Sequence, residues 1–146
     1  MQKITEKTAL CATVDPMAQA AGAQNTDMID MSKFRRVLFI VATGTLGASA
    51  TVDFGVYGDT ASGGSFATLI TGKSITQIVK ASGDNVQVLV EVQGIDVAAQ
   101  GLRYIRGKCT VGTATSQVAV IAIGENMHFQ PVASVSGLNL STVTIV

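Results

Sequence analysis

The chain has 146 residues, 47% of them hydrophobic and only 14% charged, and its formal net charge at pH 7 is zero. This length suits one domain, whereas the charged fraction lies well below the ~25% that is typical of globular domains. The balanced charge gives no basic surface for nucleic acid or an anionic membrane. The longest apolar run, residues 37–42, is too short for the ~20 residues of a membrane span. Because so few charges cover the surface, we expect the chain to share apolar surface with partner subunits.

The first 30 residues differ from the rest of the chain because they show no sustained hydrophobic period. We predict that residues 1–30 form an extended N-terminal arm, with a short helix around residues 17–21. Terminal segments are usually ordered only when they dock on something. The arm carries apolar side chains with which it could dock: Ile4, Leu10, Val14, Met17, Met28, Ile29 and Met31.

The pattern of the following residues indicates β-strands. Residues 34–43 and 117–125 are apolar on both faces, which is typical of central strands. Residues 49–58, 86–93 and 101–111 have one apolar and one more polar face, which is typical of half-buried strands. The side chains expected to share the apolar faces of these three strands are Ala50, Val52, Phe54, Val56, Val86, Val88, Val90, Val92, Ile105, Cys109 and Val111.

Short strands about 10–15 residues apart, separated by Gly, Ser and Thr turns, are typical of an all-β sandwich or jelly roll. Strands do not alternate with helical segments, which argues against a βαβ architecture. The predicted fold is therefore a jelly-roll-like antiparallel β-sandwich with extended N- and C-terminal arms. Its core is expected at residues 31–130, and a C-terminal arm or strand at residues 131–146.

The sequence Gly72-Lys73-Ser74 matches the end of a phosphate-binding P-loop, whose full pattern is G-x-x-x-x-G-K-[ST]. The first glycine of that pattern is missing, because Ala67 occupies its position. A P-loop also opens a helix, whereas residues 75–79 form a β-branched run. We interpret residues 71–74 as a turn between two strands, in which Gly72 adopts a positive φ. Lys73 then either protects a sheet edge or reaches a neighbouring subunit.

Candidate catalytic residues are few. The chain contains one histidine, His128, and no G-x-S-x-G sequence around a serine. The carboxylates form neither a close pair nor a calcium-binding run, and the low aromatic content is unfavourable for binding sugars or bases. We interpret Cys11 and Cys109 as buried, inert thiols rather than as a disulfide. We therefore predict no catalytic, cofactor-binding or metal-binding residue.

Residues 28–131 resemble a known family, the capsid cement (decoration) proteins of podophage-type tailed bacteriophages. The resemblance lies in "IDMSKFRRVLFIVATGTLGASATVDFGVYGDTASGG", "TGKSITQI" and "LRYIRGKCTVGTATSQVAVIAIGE". It implies a jelly roll that clamps a shell of HK97-like phage major capsid protein. It also implies a symmetric oligomer, with a homodimer favoured over a trimer. The resemblance implies no enzymatic residue.

We therefore predict a non-enzymatic structural virion protein on the capsid exterior, which bridges capsomers and binds no cofactor, nucleic acid, membrane or small-molecule ligand. Another phage component, such as a tail, neck or spike-base protein, is an alternative. A small hydrolase or sugar-binding domain that uses His128 is a further alternative. Arg103 and Arg106 are expected either at solvated strand edges or in ion pairs with a partner. The residues predicted to contact partners are Ile4, Leu10, Val14, Met17, Met28, Met31, Arg35, Arg36, Lys73, Leu138, Leu140, Val143 and Ile145.

Overall fold

A computed structural model describes residues 4–125, except for the side chains of Thr5 and Glu6. The three helices in this part of the chain are short: α1 (Ile4–Lys7), α2 (Lys80–Gly83) and α3 (Gly94–Ala98). None of the described helices has the length and apolar character needed to cross a membrane. The strands are β1 (Thr8–Gln19), β2 (Gly22–Asn25), β3 (Ile29–Asp30), β4 (Arg36–Thr43), β5 (Thr51–Asp59), β6 (Thr68–Ser74), β7 (Ile78–Val79), β8 (Gln87–Gln93), β9 (Tyr104–Gly112) and β10 (Ser116–Glu125).

The strands form two sheets. Sheet A has the order β1-β10-β4-β8, and sheet B has the order β2-β9-β5-β6, with β3 also paired to β9 and β7 to β5. Every strand pair is antiparallel. The chain stays within sheet B from β2 to β3 and from β5 to β7, and it changes sheet at the other connections between strands. A four-stranded and a six-stranded sheet joined in this way form a jelly roll, so the predicted all-β, antiparallel sandwich is confirmed.

The core lies between the two sheets and is built from side chains of alternating strand positions. Phe39 of sheet A packs against Phe54 of sheet B, with ring centroids 5.6 Å apart and ring planes tilted by 51°. Gly107 makes room for this pair, because a Cβ atom at this position would lie 3.0 Å from the Phe54 ring. The predicted inward positions of β5 and β9 are confirmed, since the following side chains are buried: Ala50, Val52, Phe54, Val56, Ile105, Cys109 and Val111.

The N-terminal segment is part of this core, which corrects the prediction of a separate arm over residues 1–30. Strand β1 pairs with β10 along sheet A, and the predicted helix around residues 17–21 is replaced by the end of that strand. The pairing register shifts twice, between Leu10 and Ala12 and between Val14 and Met17. A β-bulge of this kind adds a residue and interrupts the period of two. The bulges therefore conceal the period of two from sequence analysis. Pro16 is tolerated in β1 because β1 is an edge strand.

The sequence predicted that Gly72 and Lys73 lie in a turn between two strands. Both residues instead lie within β6. The register of β5 with β6 jumps between Gly55 and Tyr57, so several β6 residues face one β5 residue. Gly72 has the expected positive φ, 73°, which the left-handed backbone of this bulge requires. The predicted C-terminal arm, residues 131–146, and His128 lie outside the described residues.

Candidate subunit interface

The outer side of sheet A carries an apolar surface at its centre. Paired residues of neighbouring strands form rows across the sheet. One row joins Leu10, Ile123 and Leu38 and ends at the exposed Glu91 of β8. The next row begins at Thr13 of β1 and joins Ile121, Ile40 and Leu89. We define the apolar face of sheet A as the outward side chains of Leu10, Leu38, Ile40, Ala42, Leu89, Ala119, Ile121 and Ile123.

Two side chains of the apolar face are exposed, and the other six are partly exposed. Leu89 retains 62% of its accessible surface and Ile121 retains 42%. The opposite sides of the same strands are closed, since Val41 and Val120 are fully buried in the core. The strands β4 and β10 are therefore apolar on both sides, although only their inner side is covered by the described residues.

Polar residues frame the apolar face at one end of the strands. The outermost row consists of Thr8, Glu125, Arg36 and Gln93, and the last three are exposed. At the other end of β10, the next outward residue beyond Ala119 is Gln117, which is exposed. An apolar centre with a polar rim is the usual composition of a protein–protein interface.

A shallow groove adjoins the apolar face at this second end. It has a volume of about 370 Å³, and Met17, Ala42, Gln117 and Ala119 contribute to its lining. Met17 is 57% exposed beside it, because the bulge at residues 15–16 lifts the chain away from the regular ladder. The groove therefore extends the apolar surface beyond the paired rows.

The outer side of sheet B is polar. Strands β5 and β9 alternate, so that Asp53 lies opposite Thr110, and Tyr57 lies opposite Arg106. Polar contacts within the chain cover this side. The Gln77 side chain donates hydrogen bonds of 3.1 and 2.9 Å to the two carboxylate oxygens of Asp53. The Lys108 ammonium lies 5.5 Å from the centre of the Tyr57 ring, close enough for a cation–π interaction.

Two ion pairs tie the edges of the sheets. The Arg103 guanidinium donates hydrogen bonds of 3.0 and 2.8 Å to the two carboxylate oxygens of Asp30, and these bonds lower the pKa of Asp30 to about 2. The Lys73 ammonium lies 2.8 Å from Oδ2 of Asp96, which lowers the pKa of that carboxyl group. The Gln93 N–H group also donates to this oxygen, which fixes α3 beside the bulge of β6.

These contacts change the interpretation of three predicted residues. Lys73 lies on β6, an edge strand of sheet B, and pairs with a carboxylate of its own chain, while its contact with a neighbouring subunit stays a prediction. Arg103 forms an ion pair with Asp30 of its own chain. The Arg106 guanidinium carbon lies 4.5 Å from the centre of the Phe66 ring, so it packs over a ring rather than being fully solvated.

The other predicted contact residues fall into three groups. Val14 and Met31 are buried in the core of this chain, so they are not available to a partner as predicted. Leu10 belongs to the apolar face, Met17 lies at its groove and Arg36 at its rim, so these three stay predictions. The remaining described residues are partly or largely exposed elsewhere: Ile4, Met28 and Arg35. Four predicted contacts lie outside the described residues: Leu138, Leu140, Val143 and Ile145.

The two cysteines are free and buried, as predicted. Burial raises the pKa of Cys11 to about 12 and that of Cys109 to about 11. Thiols with such pKa values are poor nucleophiles at neutral pH because the thiolate is scarce. Within residues 4–125, no group of three His, Cys, Asp or Glu side chains comes close enough to hold a metal ion.

The chain matches no protein-family model and no curated protein. Among solved structures, that of broad bean stain virus is similar with a TM-score of 0.44 and 9% identity, covering 90% of this chain and 96% of that chain. The structure of infectious bursal disease virus (Gt strain) gives a TM-score of 0.43 and 9% identity, covering 82% and 32%. The tobacco streak virus coat protein gives 0.39 and 10%, covering 92% and 97%. At TM-scores this low, the similarities carry no conclusion about this chain.

Most of the apolar face was absent from the predicted contact residues. Leu38, Ile40, Ile121 and Ile123 lie in the two runs that were interpreted as central strands because both sides are apolar. That placement is confirmed, since β4 and β10 are the two inner strands of sheet A. The same signal could have indicated an interface, because a strand of a two-layered sandwich has only one side to bury in its own core.

Proposed function

We propose that this protein is a structural component of a virus particle. In this proposal it is a capsid cement subunit that binds the exterior of a tailed-phage shell and bridges its HK97-like major capsid proteins. The observation that supports the proposal best is the apolar face of sheet A with its polar rim. Uncovered apolar surface of this kind marks sites of protein contact.

The chemistry of the apolar face supports a role in contact because folding does not require it. The outer side of sheet B carries Asp53, Tyr57 and Thr110 on strands of the same sandwich, so polar residues serve there equally well. Removing one isoleucine or leucine side chain from water contributes roughly 2 kcal/mol. Eight apolar side chains on one outer side therefore favour binding to another protein surface.

The proposed mechanism is mechanical. A cement subunit holds neighbouring capsid proteins together against the pressure of the packaged genome. Each contact can be weak, because contacts that repeat over a symmetric shell act together and raise the overall affinity. No catalytic step and no cofactor is part of this mechanism.

The C-terminal residues 131–146 are the proposed attachment to the shell. The segment contains no Asp, Glu, Lys or Arg, and several of its residues alternate between apolar and polar character. Such a segment suits the addition of a strand to an exposed sheet edge of a capsid protein, where main-chain hydrogen bonds supply affinity. The side chains proposed to occupy pockets there are Leu138, Leu140, Val143 and Ile145.

Particle stability tests the cement role. Particles that carry the protein should survive heating and osmotic shock better than particles that lack it. Deleting residues 131–146 should remove the protein from particles, whereas the surface change Thr110→Asp on sheet B should leave binding and stability unchanged. Equal resistance of particles with and without the protein would refute the role.

Copy number separates the cement role from the alternative phage components. A shell subunit should be present in hundreds of copies per particle, whereas a tail, neck or spike-base protein should be present in one ring of a few copies. Quantitative mass spectrometry against the major capsid protein measures this ratio. A copy number that corresponds to a single ring would refute the cement role and indicate a tail, neck or spike-base component.

A further inference from the structure

We infer that the apolar face of sheet A packs against the apolar face of a second copy, about a two-fold axis that runs along the strands between β4 and β10. This contact specifies the homodimer within the proposed function. It rests on residues of the described part of the chain alone, and it can be tested without any virus particle.

The charged row at the end of the sheet determines the direction of the axis. Across the sheet this row reads Thr8, Glu125, Arg36 and Gln93, with the two charged residues on the neighbouring strands β10 and β4. A two-fold rotation about an axis midway between these strands reverses the order of the row. Glu125 then faces Arg36 of the second copy, and Arg36 faces Glu125 of the second copy.

The charges of both copies alternate in this arrangement. Glu125 and Arg36 are already cross-strand partners within one chain, so each carboxylate comes to lie between two guanidinium groups. Opposite charges placed across an interface fix its register and disfavour other arrangements. A two-fold axis perpendicular to the strands would instead place this row over the other end of the sheet, where Gln117 and Gly44 offer no charge.

The apolar rows are compatible with the same axis. On the two central strands, rotation places Ile123 over Leu38 of the second copy and Ile121 over Ile40, so branched apolar side chains meet. On the edge strands it places Leu10 over Glu91 and Thr13 over Leu89, so the apolar contact is concentrated on β4 and β10. In the third row, Ala119 exchanges with Ala42. Sheets that pack face to face lie about 10 Å apart with aligned strands, which suits side chains of this size.

The area of the whole outer side of sheet A, polar rim included, predicts the strength of the contact. Four strands at ~4.8 Å spacing and eight residues at ~3.3 Å each give roughly 500 Å² per copy, or roughly 1,000 Å² in total. Specific interfaces begin near this total area. We therefore expect a reversible dimer of micromolar affinity, which suits a subunit that gains further contacts on a shell.

Glu125 is the last residue of β10 and lies beside the axis. The two copies of residue 125 therefore lie at the same end of the dimer.

Charge reversal followed by mixing tests the inferred axis. Arg36→Glu places four carboxylates in the charged row of a dimer, and Glu125→Arg places four cations there. Each variant alone should dimerise at least about tenfold more weakly than the natural chain, because like charges meet across the contact. An equal mixture of the two variants should form heterodimers with nearly natural affinity, since each Glu again faces an Arg of the other copy.

Native mass spectrometry resolves these species if one variant carries a mass tag, and sedimentation equilibrium measures their affinities. The double variant Arg36→Glu/Glu125→Arg should dimerise like the natural chain, and so should the control Lys108→Glu on the outer side of sheet B. Circular dichroism verifies that each variant is folded. If the natural dimer affinity is restored in the double variant but not in the mixture of single variants, the inferred axis is wrong. A natural chain that stays monomeric would overturn the contact itself, and the particle assays would still decide the cement role.

Discussion

The outer sides of the two sheets differ in chemistry although they belong to one sandwich. On sheet A, neighbouring strands place Ile121 beside Ile40, whereas on sheet B the corresponding inner strands place Asp53 beside Thr110. Both sheets close the same core, so the difference does not arise from folding. This difference is the observation on which the proposed contact through sheet A rests.

The largest expected effect comes from placing a charge on the apolar face. Ile121→Asp should weaken self-association at least about a hundredfold, because two copies each bring an unpaired carboxylate and lose an isoleucine from the contact. The matched change on sheet B, Thr110→Asp, should leave the affinity within about twofold. Sedimentation equilibrium of the two folded variants measures the difference, and equal affinities would remove the distinction between the two sides.

A second change acts on the inner side of the same strand β10. A Cβ atom at Gly124 would lie 2.5 Å from the Phe34 ring and 2.6 Å from Sγ of Cys11, so Gly124→Ala overpacks the core. We expect a loss of about 1–3 kcal/mol in the free energy of unfolding. Gly63→Ala is the control, since its Cβ atom would have no neighbour within 4 Å. Urea unfolding measures both, and equal stability of the two variants would contradict the packing described for β10.

Acid should weaken the edge of sheet B through Asp30. Arg103 holds the pKa of Asp30 at about 2, below its ordinary value of ~3.9. The pair therefore stabilises the fold at pH values above the ordinary pKa, and this contribution is lost as the pH falls toward 2. After allowance for solvent screening, Asp30→Asn should cost about 1 kcal/mol at neutral pH. This cost should shrink as the pH falls below ~4 and vanish only below the folded-state pKa of about 2. A cost that does not depend on pH would show that packing, not charge, is involved.

The smallest expected signal concerns the two thiols. Because burial raises the pKa of Cys11 to about 12 and that of Cys109 to about 11, neither should react with a thiol reagent at pH 8 while the chain is folded. Both should react once the chain unfolds. If either thiol of the folded chain reacted as fast as a free thiol, the inner side of the sheet that carries it would be accessible to solvent.

The sequence predicted the strands whose alternation is uninterrupted. In β5, Val52, Phe54 and Val56 follow a strict period of two, and all are buried as expected. In β1 the inward residues Ala9, Cys11, Ala12 and Val14 do not follow that period, because the bulges shift the register. A bulge depends on the partner strand, which is distant in the sequence, so local periodicity does not reveal it.

The candidate interface was less accessible to prediction than the fold. Apolar character on both sides of β4 and β10 is visible in the sequence, but the pattern alone does not say which side lacks a cover. The register across sheet A supplies that information, since it joins residues 38, 40, 121 and 123 into one surface. The ion pair of Lys73 with Asp96 was equally hard to predict. It depends on the bulge of β6, which the sequence pattern suggested to be a turn.

Oxidative footprinting of the assembled protein tests the central claim most directly. Labelling should be compared between the particle and the isolated, diluted chain, at Met17, Leu89 and Ile121 near sheet A and at Tyr57 and Tyr104 on sheet B. We predict that oxidation of the first three residues falls strongly on assembly while that of the two tyrosines stays nearly constant. Unchanged oxidation of Ile121 and Leu89 in the assembled state would contradict the claim that a partner covers the apolar face of sheet A.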